Sequence, residues 1–243
     1  RDLDMADHRQ QPVEGHRDVA VQDLPVEDIV LEPDIRMPGL GDQPLRHAHT
    51  HRRNVQPPAI EHAQFHVAIQ RAPAFDAQRA MRLIRHRAKT FAIDPERVAA
   101  MGFSAGGHVC ADLASRFAAR VYDPVDAADA LSAKPHSAAP IYPVISMDPA
   151  IAHAGSRTLL LGPNPSPELM AAHSPDQNIP ADAPPHFLLH AEDDKAVPVD
   201  NTLRLHAALR ERKIPVEMHL FAQGGHGFGL RNTTGKPVEA WPD

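Results

Sequence analysis

The segment Gly102-Phe103-Ser104-Ala105-Gly106 constrains this chain more than any other. Residues 97–103 form a short apolar run, of the length of a strand buried in a parallel sheet. Residues 105–120 resume a helical pattern through Val109, Leu113 and Phe117. A serine between strand and helix, with a glycine two positions to either side, suits a tight turn that lifts its hydroxyl clear of the sheet. Small flanking residues let strand and helix approach. The start of the helix aims backbone N–H groups, that of Ala105 among them, at an oxyanion forming beside the hydroxyl.

The same alternation continues along the chain. A helix is expected over 76–90, where Ala77, Ala80, Met81, Leu83, Ile84 and Ala88 recur at helical spacing. Ile93-Asp94-Pro95-Glu96 reads as a turn, because proline fixes its backbone. Further apolar runs cover 138–147 and 186–190, a helical pattern covers 203–211, and 216–221 alternates as a last strand. Strand and helix in turn predict an α/β fold, a mostly parallel sheet with helices on both faces. The proline-rich stretch 148–185 reads as a loop-like insertion. It is either a cover over the carboxyl ends of the strands, where substrates bind, or a plain surface connection.

A serine hydroxyl is a weak nucleophile at neutral pH, so it needs a base, and the base needs an orienting acid. With the serine on such an elbow, the acid and then the histidine follow along the chain. His226 lies after the last strand in Gly224-Gly225-His226-Gly227-Phe228-Gly229, a loop loose enough for two proton transfers. Glu192, Asp193 and Asp194 follow the strand at 186–190, and the residues alone leave open which is the acid. His47, His49 and His51 alternate but lack an evident carboxylate or thiol partner, so no metal site is expected, nor any organic cofactor. Gly224 to Gly229 lacks the Lys and Ser/Thr of a phosphate loop. His108 is expected to pack or hydrogen-bond within its helix, and Cys110 to be a small buried hydrophobe.

Composition narrows the classes. The 243 residues carry a net charge of −6 and both signs are scattered, which excludes a nucleic-acid footprint. The cluster Arg82, Arg85, His86, Arg87 and Lys89 reads as a solvated helix face. A single cysteine excludes an internal disulfide framework. No apolar run approaches the ~20 residues of a membrane span. Residues 1–11 are charged and show no secretory apolar core, so the compartment stays open, with the cytoplasm the default.

Residues 1–75 differ from the rest: they contain no Lys, Ser, Tyr, Trp or Cys and are rich in Arg, His, Asp, Gln and Pro. Strands are hinted at within 13–31 and at 64–70, but long periodic runs are missing. The expected organisation is an atypical amino-terminal region, 1–75, and a catalytic region, 76–243. A shifted reading frame over the first part is the favoured explanation, and a genuine but unusual segment is the alternative.

From about residue 76 onward the chain resembles the α/β-hydrolase esterases related to acetyl-xylan esterases and hormone-sensitive-lipase-like carboxylesterases. The resemblance rests on an ordered series: Asp76-Ala77-Gln78-Arg79-Ala80, Ile93 through Val98, Gly102 through His108, Tyr142-Pro143-Val144-Ile145, His190 through Asn201, and Gly224 through Leu230. It implies an α/β-hydrolase fold with Ser104 as nucleophile and His226 as base. It also implies Asp194 as acid, the aspartate four residues before the proline of Asp194-x-x-Val197-Pro198, with Asp193 as fallback and the losing carboxylates as solvated loop charges. The implied activity is hydrolysis of short-chain, acetyl-type esters, of sugars among them, through an acyl-enzyme, with a small-molecule ester as substrate. Two departures stand out. A Gly-rich oxyanion segment is missing upstream, where Met37-Pro38-Gly39-Leu40-Gly41 is a poor match, and the family usually continues beyond position 243 into a terminal helix. The alternatives are a catalytically impaired protein of the same fold and a prolyl-oligopeptidase-type serine peptidase.

Overall fold

The computed structural model describes residues 29–35, 45–50 and 62–242, with side chains from 73 onward. Strands β1 (Ile29–Ile35) and β2 (Leu45–Thr50) pair antiparallel as a separate two-stranded sheet. The strand hint over 13–28, the Met37–Gly41 stretch and His51 lie outside the described residues, as do the side chains of His47 and His49.

Helix α1 (His62–His86) follows, and a one-residue break at Arg87 separates it from the short α2 (Ala88–Phe91). The strand hinted at 64–70 is therefore helix. Phe65, Val67 and Ile69 alternate, but they are continuous with a strongly amphipathic segment, and helix propagation along a formed helix overrides a short local pattern. Asp94 caps the turn that follows by accepting the Glu96 N–H at 2.9 Å.

Strand β3 (Ala100–Phe103), helix α3 (Ala105–Arg116) and strand β4 (Ala138–Ile141) come next. Helices α4 (Ala154–Leu161) and α5 (Pro167–Ala172) occupy the stretch expected to be loop, each beginning with a capping side chain, His153 and Ser166. Prolines conceal such short helices, because proline is tolerated at their first turn, as Pro167 is here. Strand β5 (His186–Ala191), helix α6 (Asp200–Glu211) and strand β6 (Val216–Phe221) complete the order.

Strands β3 to β6 form one parallel sheet in chain order, β3-β4-β5-β6. Alternation along β5 sends Phe187, Leu189 and Ala191 to one face, where they cluster with Ile141, Phe228, Val238 and Trp241. Leu188 faces the other side and clusters with Ala111 of α3 and Leu205 and Leu209 of α6. Burying each such side chain stabilises the fold by roughly 1.5–3 kcal/mol. Helix α1 packs on α3 through Met81, Leu113 and Phe117. Asn201, fully buried at the start of α6, accepts the N–H groups of Ile145 and Ser146 and donates to the carbonyls of Ile151 and Pro198. The backbone beyond β4 is thereby fixed to α6.

The basic cluster of α1 is not simply a solvated face. Arg82 donates to the Leu131 carbonyl and the Tyr122 hydroxyl, and Arg85 to the carbonyls of Pro95, Ser132 and Lys134. A guanidinium presents several donors in a rigid fork, and here two of them staple 122–134 to α1. Arg79 adds ion pairs with Asp126 and Asp129. His108 is buried with Nδ1 at 3.2 Å from the Val144 carbonyl. Cys110 is buried too, and burial pushes its thiol up to about 12, so it is inert at neutral pH.

Candidate active site

Ser104 sits between β3 and α3 with φ 55° and ψ −117°. For a residue with a Cβ such backbone angles cost about 1–3 kcal/mol, so the surroundings must impose them. Both of its backbone groups are engaged. Its N–H donates to the Ile141 carbonyl at 3.0 Å, and its own carbonyl accepts from His108 at 3.2 Å and Val144 at 3.1 Å. The turn is also held by close contact. A Cβ on Gly102 would lie 2.0 Å from the Gly106 carbonyl oxygen, and one on Gly107 would lie 2.7 Å from the Pro143 Cβ. A Cβ on Gly106 meets no atom within 4 Å. Gly102 and Gly107 are therefore the glycines the approach of strand and helix requires. The N–H of Ala105 opens α3, where helix geometry leaves it without an intrahelical acceptor, at the positive end of the helix dipole.

The loop after β6 brings His226 back over the serine. The Ser104 Oγ is 2.8 Å from His226 Nε2, and His226 Nδ1 is 2.6 Å from Asp194 Oδ2. A carboxylate only accepts, so the proton of a neutral His226 belongs on Nδ1, leaving the Nε2 lone pair to accept the serine hydroxyl. Gly225 at φ 69° and Gly227 at φ 71° flank the histidine in a conformation that side chains rarely adopt. The Tyr142 ring stands edge-on to the imidazole, centroids 5.1 Å apart, and its hydroxyl accepts the Gly229 N–H at 3.1 Å. Trp241 Nε1 donates to the Gly229 carbonyl at 2.8 Å, so Gly229 is held from both sides.

The Asp194 side chain is completely buried at the end of β5. Its Oδ1 accepts the N–H groups of Ala196 and Val197, both at 2.9 Å. Burial pushes the carboxyl up. The hydrogen bonds from His190, Val197, His226 and Ala196 outweigh it and hold the group well below the usual carboxylate range. Of the three neighbouring carboxylates, only Asp194 is hydrogen-bonded to His226. Glu192 is exposed. Asp193 is not a plain solvated charge: its Oδ1 accepts the N–H groups of Gly224 at 2.9 Å and Gly225 at 2.7 Å, latching the loop that carries His226. The Gly225 bond, with that of Gly224, holds the Asp193 carboxyl below its ordinary value.

The chain of contacts from Ser104 through His226 to Asp194 joins the three residues expected from the sequence. The sequence offers Asp193 only as the fallback acid and assigns no role to Tyr142, Trp241 or His190. A polar residue in an apolar strand, as at 190, was the available signal; the loop contacts of Asp193 had none. Among the described residues, no group of three or more His, Cys, Asp or Glu is arranged to hold a metal ion.

The BD-FAE family model matches residues 58–209, most of the described chain. The chain belongs to the BD-FAE family. The match starts upstream of position 76, where the sequence resemblance begins. Endo-1,4-beta-xylanase B of Butyrivibrio fibrisolvens is 37% identical over 166 residues, which cover 68% of this chain and 26% of that protein. An acetylxylan esterase of Xylanibacter ruminicola is 30% identical over 162 residues, covering 65% of this chain and 31% of that protein. The crystal structure of an acetyl ester-xyloside bifunctional hydrolase from Caldicellulosiruptor lactoaceticus superposes with a TM-score of 0.65 at 40% identity, covering 70% of this chain and 62% of that one. The fold of this BD-FAE member is that of the α/β-hydrolase esterases. The chain spans 26% and 31% of the length of the two curated relatives.

Proposed function

We propose that this chain is a serine carboxylesterase that hydrolyses short-chain, acetyl-type esters of sugars through an acyl-enzyme. The observation that carries the reading is the continuous hydrogen-bonded chain Ser104–His226–Asp194 on a strained elbow at the start of α3. Kinship to a protein named acetylxylan esterase and to a bifunctional acetyl ester-xyloside hydrolase supports the substrate class.

His226 Nε2 removes the proton from Ser104 as Oγ attacks the ester carbonyl carbon. The carbonyl π pair moves to oxygen, and the Ala105 N–H, backed by the helix dipole, stabilises that oxyanion. Asp194 holds the Nδ1–H tautomer and stabilises the imidazolium. When the tetrahedral intermediate collapses, the C–O bond to the alcohol breaks and His226 protonates the departing alkoxide. Water then repeats the sequence on the acyl-enzyme, releasing the carboxylic acid and restoring Ser104. Loss of one oxyanion donor lowers rates by about 10²–10³-fold. The poor Gly-rich match at 37–41 therefore favours a second reading, the same chemistry at a reduced rate.

Hydrolysis of p-nitrophenyl acetate and of acetylated xylo-oligosaccharides by the chain and by Ser104→Ala tests the reading. Expected are acetate release from both substrates and its loss in the variant. A folded chain that releases no acetate, or activity that survives in Ser104→Ala, overturns it.

A further inference from the structure

His190 interrupts the apolar strand β5 and is fully buried, four residues before Asp194. Its Nδ1 lies 2.7 Å from the Thr202 hydroxyl on α6. Its Nε2 lies 3.2 Å from Asp194 Oδ2 and 3.0 Å from the Val197 carbonyl oxygen. Both groups around Nε2 are acceptors, so the proton of a neutral ring sits on Nε2 and is shared between them. Nδ1 then accepts from Thr202, which is itself fully buried and has a hydroxyl to donate. The oxygen that faces His226 thus receives two imidazole N–H groups, and the other oxygen receives two backbone N–H groups.

We propose that His190, oriented by Thr202, is a positioning residue that fixes the plane of the Asp194 carboxylate and keeps Oδ2 in line with His226 Nδ1–H. The two backbone bonds to Oδ1 anchor one end of the carboxylate. They leave rotation about that end to be stopped at Oδ2. His226 alone cannot supply the stop, because its loop must let the ring move between the serine and the leaving group. His190 is packed between β5 and α6 and has no such freedom. The role is relayed from α6 to the reacting centre in the order Thr202, His190, Asp194, His226, and His190 touches no substrate. The catalytic consequence rests on the esterase reading; the tautomer and the orientation do not.

Two measurements test this. The first is the nitrogen NMR spectrum of the native chain, which reports the tautomer of each buried imidazole. A Nε2–H tautomer for His190 is expected, and a Nδ1–H tautomer overturns the proposal whether or not any variant folds. The second compares Thr202→Val, which keeps the shape and removes the hydroxyl, with Thr202→Ser, which keeps the hydroxyl. Around metal-bound histidines, removing an orienting partner costs about 10–100-fold, and a loss at the low end of that range is expected here. Thr202→Val is expected to lower kcat on p-nitrophenyl acetate about tenfold with KM within twofold. It should also weaken the downfield resonance of the His226 Nδ1 proton, and Thr202→Ser should restore both. Equal losses in the two variants, or a folded Thr202→Val with unchanged kcat and an unchanged resonance, overturn the proposal. If the native chain hydrolyses no ester, the proposed function falls, and the tautomer and the Nδ1 resonance still decide the place of His190.

Discussion

At the scale of single residues, the site is a set of small obligations met together. Ser104 tolerates φ 55° only because its N–H and carbonyl are both held. Asp194 matters through acceptor geometry. Asp194→Asn keeps the volume but offers an amide that can donate, which favours the wrong His226 tautomer. A loss of about 10⁴ in kcat with little change in KM is expected from steady-state kinetics. Asp193 acts one step further out. Asp193→Asn still presents an acceptor oxygen to Gly224 and Gly225, whereas Asp193→Ala does not. The alanine variant, which frees the Gly224 and Gly225 N–H groups, should lose activity about tenfold, the low end of the cost known for residues that orient metal-bound histidines, and the asparagine variant much less. Equal activity in both would remove the latch from the account. The serine and the histidine were legible because glycines bracket them in chain order. The acid was not legible from residue type, since Glu192, Asp193 and Asp194 are all carboxylates; burial and the hydrogen bond to His226 distinguish Asp194, and neither is written in a single sequence.

At the scale of elements, the elbow depends on how near α3 comes to β3 and to the turn after β4. Gly107→Ala drives a methyl into Pro143, and Gly102→Ala drives one into the Gly106 carbonyl. Overpacking of this kind costs about 1–3 kcal/mol where neighbours can shift, and the backbone contact at Gly102 leaves little room to shift. Gly106→Ala meets open space and gains up to about 1 kcal/mol of helix propensity. Denaturant melts of the three variants should therefore rank Gly106→Ala at or above the native chain, and Gly107→Ala and Gly102→Ala below it. Destabilisation by Gly106→Ala would contradict the packing described. Strands and long helices were read from apolar runs because each is buried on one face or both. Helices α4 and α5 were not, since at 8 and 6 residues they are too short for a period to emerge among prolines. The 64–70 segment misled for the opposite reason: three alternating apolar residues imitate a strand when the helix they belong to is not yet in view.

At the scale of the whole molecule, stability is tied to pH through buried histidines. His186 donates from Nδ1 to the Pro184 carbonyl, and its buried Nε2 has no partner among the described residues, so a second proton there would be poorly accommodated. Burial lowers His186 from its ordinary 6.5 to about 4, against a smaller upward pull from the Pro184 carbonyl. Burial likewise lowers His173 to about 4. The unfolded chain binds these protons first, so the stabilisation is fully present above about pH 6.5 and is lost as pH falls toward 4. A shift of this size is worth roughly 3 kcal/mol for His186. Urea melts at pH 7.5 and pH 4.5 should differ less in His186→Leu than in the native chain, and an unchanged difference would contradict the assignment. The parallel sheet was legible, because apolar runs of strand length and helical patterns follow one another on either side of the 148–185 stretch; the order of its strands comes from the structure alone. The first 75 residues were not legible, since their composition carries few periodic apolar runs. We propose that they are distinct in composition from 76–243, although helix α1 crosses that boundary and the family match begins at residue 58. The proposed chemistry stands on Ser104 being a nucleophile activated by His226. Treatment of the chain with a fluorophosphonate, followed by mass spectrometry of its peptides, tests it most directly. A single phosphonyl adduct on Ser104 is expected, formed at least about a hundredfold more slowly in His226→Ala. A folded chain that takes up no label, or takes it up elsewhere, would contradict it.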